Sequence, residues 1–204
     1  MSFTLSSARR ALLAGTAAFA LVATLPGLGA EAKTRGLPKA EKVSATEGDI
    51  ARLDADADAV LAALVDASPV AAEIAGKAAG IMVFPTVESN AFLIGSETAI
   101  GRPTADGETT YWRAERASLG LQMGSKSLSR VFMVMEPAIL EKLYEGNLVN
   151  FGVDAEIVEI DTVTGTVEEA VSAEIAYFAI NEDGAVYGLQ LQSLEVKPIS
   201  FTTK

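Results

Sequence analysis

The segment YWRAERASLGLQMG, residues 111–124, gathers residue types from which a site could be built. It holds Trp112, Arg113, Arg116, Ser118 and two glycines four residues apart. Three kinds of chemistry fit such a list: a serine nucleophile, a phosphate-cradling turn, or no reaction at all in a bent strand. A serine nucleophile needs a base beside it, and the chain contains no His and no Cys. The Ser-His-Asp arrangement, thiol catalysis and the usual zinc ligands are therefore excluded. Neither Ser-x-x-Lys nor Gly-x-Ser-x-Gly occurs, and the adjacent Ser125 and Lys126 point to opposite faces if they lie on a strand. Gly120-x-x-x-Gly124 lacks the further glycines and the following helix of a phosphate loop.

Acidic residues are the remaining source of acid–base chemistry. The run DADAD, residues 54–58, has Ala59 and Val65 where a calcium loop starting at Asp54 needs Gly and Glu, so it is read as the solvated face of a helix. Paired carboxylates remain open as general acid and base, but no pair stands out among so many acids. The expectation is a chain without catalytic residues, metal or cofactor.

The elements that position these residues follow from periodicity. Thr46 caps a helix with Asp49 three residues on, and Ile50, Leu53, Ala57, Val60, Leu61 and Leu64 form one apolar stripe. Ser68-Pro69 opens a second, Ala-rich helix that stops near Gly76 to Gly80. Strands are expected at IMVFP (81–85), 91–101, 108–115, 118–124 and 129–135, with a hairpin turn at Asp106-Gly107. Pro137 opens a helix that Gly146 ends. Residues 153–163 and 166–180 read as strand around a turn at Thr164-Gly165, and Asn181 to Gly184 marks a last hairpin. Within the opening segment, a short turn is expected at Glu115 to Ala117, with Ser118 packed where bulk is unwelcome and Trp112 in the core. Runs of helices and strands without strand–helix alternation indicate an α+β fold with an antiparallel sheet. Gly95, Gly101, Gly120, Gly124 and Gly188 within or at the ends of these strands predict a strongly curved, barrel-like sheet with N-terminal helices and one inserted helix.

The first 32 residues read as an export signal. Arg9-Arg10 precede the apolar stretch 11–25, Pro26-Gly27 breaks it, and cleavage is expected after Ala30 or Ala32. The paired arginines fit twin-arginine export, with the general secretory route as the alternative. No Cys follows to carry a lipid anchor, so a soluble periplasmic or secreted protein is expected. Residues 33–45 read as a linker carrying the one basic cluster, Lys33, Arg35, Lys39 and Lys42, and residues 46–204 as one domain. The net charge of −11 becomes −12 once residues 1–32 are removed, which disfavours nucleic acid and requires any anion site to be a local cluster.

Several separated stretches agree in order with one family. GIMVFPTV (80–87), AFLIG (91–95), YWRAERASLGLQMG, a Phe- and Met-containing strand (131–135), PAILEKLYEG and FGVDAEI (151–157) together resemble the SYLF domain family over nearly the whole chain from residue 50. The chain departs from that pattern at GSETAIG (95–101), which is poorer in glycine. The resemblance implies binding rather than catalysis. Its bacterial members are exported and associated with lipid, its eukaryotic members with phosphoinositide membranes and actin. Export makes actin an improbable partner, and a phospholipid or membrane surface the expected one. Two routes to lipid stay open: a headgroup held by Arg113, Arg116, Lys126 and Arg130, or an acyl chain in a cavity of the sheet. The basic leader adds attraction to an anionic leaflet. An envelope protein–protein interaction module without lipid, and a carboxylate-dependent hydrolase, are the alternatives.

Overall fold

The computed structural model describes residues 40–90, 95–103, 110–118, 128–181, 184–186 and 193–203, all within the compact unit Gly36–Lys204. Strand β1 (Glu41–Ala45) lies inside the segment read as linker, and Lys42 is exposed on it. Helix α1 (Glu47–Ala67) starts as expected. Thr46 Oγ1 accepts the Asp49 N–H at 3.1 Å, and the Asp49 carboxylate accepts the Thr46 N–H at 3.1 Å. The two bonds satisfy helix-end donors reciprocally. Ser68 breaks the helix because its Oγ accepts the Ala71 N–H and caps α2 (Pro69–Lys77), which follows at a bend of 119°. The same hydroxyl donates to the Thr162 carbonyl at 3.0 Å, so a fully buried Ser68 is satisfied on both sides.

Strand β2 (Gly80–Asn90) does not stop at Pro85. It continues past a bulge between Val83 and Val87, where a residue without an N–H breaks the ladder at little cost. It pairs antiparallel with β3 (Gly95–Pro103) and with β5 (Leu128–Val134). Strand β4 (Tyr111–Ser118) pairs with β3 from Trp112 to Ser118. Glu115 to Ala117, expected as a turn, is therefore regular strand. The hairpin expected at Asp106-Gly107 and, beyond Ser118, the strand expected over 118–124 lie outside the described residues.

After β5 come helix α3 (Pro137–Tyr144), strands β6 (Val149–Phe151) and β7 (Ile157–Glu159), and helix α4 (Val167–Ser172). Strands β8 (Ile175–Asn181), β9 (Gly184–Val186) and β10 (Leu194–Thr203) complete the unit. Of the strand expected over 153–163, only 157–159 forms. Asp161 turns the chain by accepting the Val163 and Thr164 N–H groups at 2.7 and 2.9 Å. Those two bonds, Thr164's first, hold its carboxyl below the usual range. The start of the strand expected over 166–180 is α4, capped reciprocally by Thr166 and Glu169. Among the described residues two helices, α3 and α4, thus follow β2 where one inserted helix was expected, and β1 precedes α1 and α2. The final hairpin is as expected, with Asn181 opposite Gly184 at φ 118°.

The expected antiparallel, barrel-like, strongly curved sheet is not what forms. The strand order is β1-β10-β4-β3-β2-β5-β8-β7, with β6 added to β10 and β9 to β8, so the sheet is open, ending at β1 and β7. It is also mixed, because both end strands join parallel to their neighbours. A parallel pair needs a long crossover, which α1, α2 and α4 help supply.

Helices cover both faces. Phe132 and Val134 of β5 join Met82, Phe84, Trp112, Phe151, Tyr177 and α3's Ile139 and Leu143 in one core layer. Val131 and Met133, on the alternate face, pack with Ala57 and Leu64 of α1, Ile74 of α2 and Ala170 of α4 in the other. Trp112 is in the core as expected, 1% exposed.

Candidate functional site

Parity along the strands divides the basic residues expected to act together. Arg130 lies two and four residues from Phe132 and Val134 and so shares the face of the aromatic layer, where it is 4% exposed. Its Nε donates to the Tyr177 hydroxyl at 3.2 Å. The Tyr177 ring stacks on Phe132 at 5.0 Å between centroids, and Phe132 meets Phe84 and Phe151 edge-on. A guanidinium thus stands at a buried aromatic layer, whose rings are at most 1% exposed.

Arg113 alternates with Trp112 and Ala114, which belong to that aromatic layer, so it lies on the opposite face of the sheet. It does not join Arg130. Its directly opposed neighbour on β10 is Lys197. Glu41 of β1 bridges the two, accepting from Arg113 Nη1 with one carboxylate oxygen and pairing with Lys197 Nζ at 3.1 Å with the other. Glu115 completes the group, 3.1 Å from Lys197 Nζ and 3.9 Å from Arg113 Nη1. Arg116 stands in β4 opposite Glu97, with its side chain outside the described residues, as are Lys126, Lys33, Arg35 and Lys39 entirely. The sequence reading missed Glu41, Lys197 and Tyr177. A charge at a strand position has no local mark of its partner when strands meet only in the folded sheet.

The ion group has a pH signature whose sign follows from each member. The hydrogen bond from Lys197 is the main cause holding the Glu41 carboxyl below its ordinary 4.5, and the Arg113 charge adds to it. Burial opposes the charged form of Lys197, but the Glu115 and Glu41 carboxylates outweigh it and raise the amine above 10.5. Glu41's contribution is therefore present above pH 4.5 and lost as pH falls through its lower folded value. Lys197's contribution is present below pH 10.5 and lost as pH rises through its higher folded value. These side chains are 30–41% exposed, so the worth of the group after screening is about 0.5 kcal/mol. The expected result is that Lys197→Met melts slightly below the parent chain between those limits. The difference should shrink below pH 4 and at 1 M salt, as read from melting curves across pH.

Residues Gly152–Ile157 and Glu174 line an open, polar hollow of about 380 Å³. Two of its three carboxylates are engaged by backbone: Glu174 accepts the Glu156 N–H at 2.6 Å, and Asp154 accepts the Asn150 N–H at 2.9 Å. The Asn150 bonds lower the Asp154 carboxyl, the reverse of what a general acid needs. Among the described residues no group of three or more Asp or Glu is placed to hold a metal. No protein-family model matches the chain, and no curated protein matches it.

Proposed function

We propose that the chain is a non-catalytic, exported lipid-binding protein of the bacterial envelope, of the SYLF type. The observation that carries this is Arg130, a nearly buried guanidinium bonded to Tyr177 on the face that also holds Phe84, Phe132 and Trp112. A phosphate headgroup with an attached acyl chain matches that combination of directional cation and apolar rings. The motif series along the sequence, the export signal, and a composition lacking His and Cys support the same reading.

The experiment is flotation of the mature protein with phosphatidylglycerol and with phosphatidylcholine vesicles. Co-flotation is expected with the anionic vesicles. Arg130→Met is expected to weaken it about tenfold, the worth of one charged hydrogen bond. Tyr177→Phe keeps the ring and loses only the hydroxyl, so it guards against a simple folding failure. Absence of co-flotation with both vesicles, with no lipid extracted from the purified protein, sinks the proposal.

The open sheet favours a second reading, a protein-interaction module that adds a partner's strand at an edge. Recovery of lipid alone, with no stoichiometric protein, in a pull-down from envelope extract counts against it.

A further inference from the structure

We propose that Arg113 and Lys197 form a seat for a phosphate-type anion, which Glu41 fills as a tethered stand-in. The seat lies on the face away from Arg130, and its standing does not depend on the lipid-binding reading.

Arg113 and Lys197 are register partners on adjacent strands. Like charges placed directly opposite destabilise a sheet unless an anion lies between them. Glu41 supplies it, one oxygen to each cation, which is how a bound oxyanion would bridge them. The fit is incomplete. The Arg113 Nε–H is buried and has no hydrogen-bond partner among the described residues. The two Glu41 oxygens lie on Arg113 Nη1 and Lys197 Nζ, and neither bonds to Nε. A tetrahedral phosphate has a further oxygen for Nε, which gives it a bond that Glu41, spread across the two cations, does not make.

The stand-in can also leave. Glu41 is the first residue of β1, a five-residue strand at the end of the sheet, whose pairing partner is β10. Short terminal strands open locally at a fraction of the global stability. When β1 opens, Glu41 goes with it, while Arg113 and Lys197 stay fixed on β4 and β10. Glu115 remains between them, and Glu195 faces Glu115 across the strands. Those two acids weaken attraction by net charge, so selection rests on the directional bonds of Arg113.

The test uses Glu41→Gln in the full chain, which removes the competing charge and keeps the side chain's size. Inorganic phosphate is titrated and followed by the amide resonances of Arg113 and Lys197. E41Q is expected to bind phosphate about tenfold more tightly than the parent chain. Adding Lys197→Met to E41Q is expected to abolish the gain. Equal affinity of parent and E41Q overturns the proposal, and so does a gain that survives Lys197→Met. Saturating phosphate should also speed hydrogen exchange at residues 43–45 of the parent chain while its urea midpoint does not fall. Unchanged exchange there overturns the displacement of Glu41. Vesicles of phosphatidic acid in phosphatidylcholine identify the source. A gain by E41Q on these vesicles assigns a lipid headgroup, and a gain confined to inorganic phosphate assigns a free anion.

Discussion

Gly101→Ala is expected to cost at least about 4 kcal/mol, enough to leave little folded protein in a chain of ordinary stability. A Cβ at residue 101 would lie 1.9 Å from the Val83 carbonyl oxygen and 2.8 Å from its carbon, with the Phe84 ring at 3.2 Å. The first two contacts are backbone, so no rotamer change relieves them. The clash falls where β2 enters its bulge, and β2 is central in the strand order, with β3 on one side and β5 on the other. Moving Val83 therefore disturbs both pairings and lifts Phe84 out of the aromatic layer. With a urea dependence of about 2 kcal/mol per molar, the midpoint should fall by about 2 M. Gly76→Ala is the control, since nothing lies within 4 Å of a Cβ there. A midpoint for Gly101→Ala close to that of Gly76→Ala would contradict the packing described around Val83.

That same glycine explains why the sheet's shape was misread from sequence. A glycine in a strand is equally consistent with a bend and with close approach of another backbone. At Gly101 it is close approach, and the choice depends on Val83, which no local pattern connects to it. Local chemistry fared better. The Thr46–Asp49 box, the Ser68-Pro69 junction and the Asn181–Gly184 hairpin each depend on residues a few positions apart, and all three formed. Thr166–Glu169 was an equally local signal, but β-branched neighbours at Val167 and Val171 drew the segment toward strand. Arg113 and Arg130 were legible as cations on strands but not as cations on opposite faces. Parity carries from one strand to the next only if the connecting length and register are known, and residues 119–127 between them set neither. Glu41 and Lys197 meet because β1 joins β10 in parallel, a pairing between the two ends of the compact unit.

Phe132→Ala is the second large effect, with an expected loss of about 3–5 kcal/mol. The ring is fully buried and touches three others, stacked on Tyr177 and edge-on to Phe84 and Phe151. Its removal opens a cavity bounded by backbone of β5 and its neighbours, which cannot collapse without giving up ladder bonds. Phe132→Leu retains most of the apolar volume and should cost about 1.5 kcal/mol or less. The two variants separate stability from binding, because Phe132 also holds the Tyr177 ring in place, and Tyr177 accepts from Arg130. Phe132→Leu should remain folded, as judged by an unchanged slope of urea unfolding, yet lose orientation of Arg130. If Arg130 engages a headgroup, vesicle affinity should then fall several-fold more than the stability change accounts for. A Phe132→Leu protein that unfolds only slightly earlier and floats as well as the parent would leave the aromatic layer as core alone. The headgroup contact would then have to be sought on the Arg113 face, where Lys197→Met leaves the aromatic layer untouched.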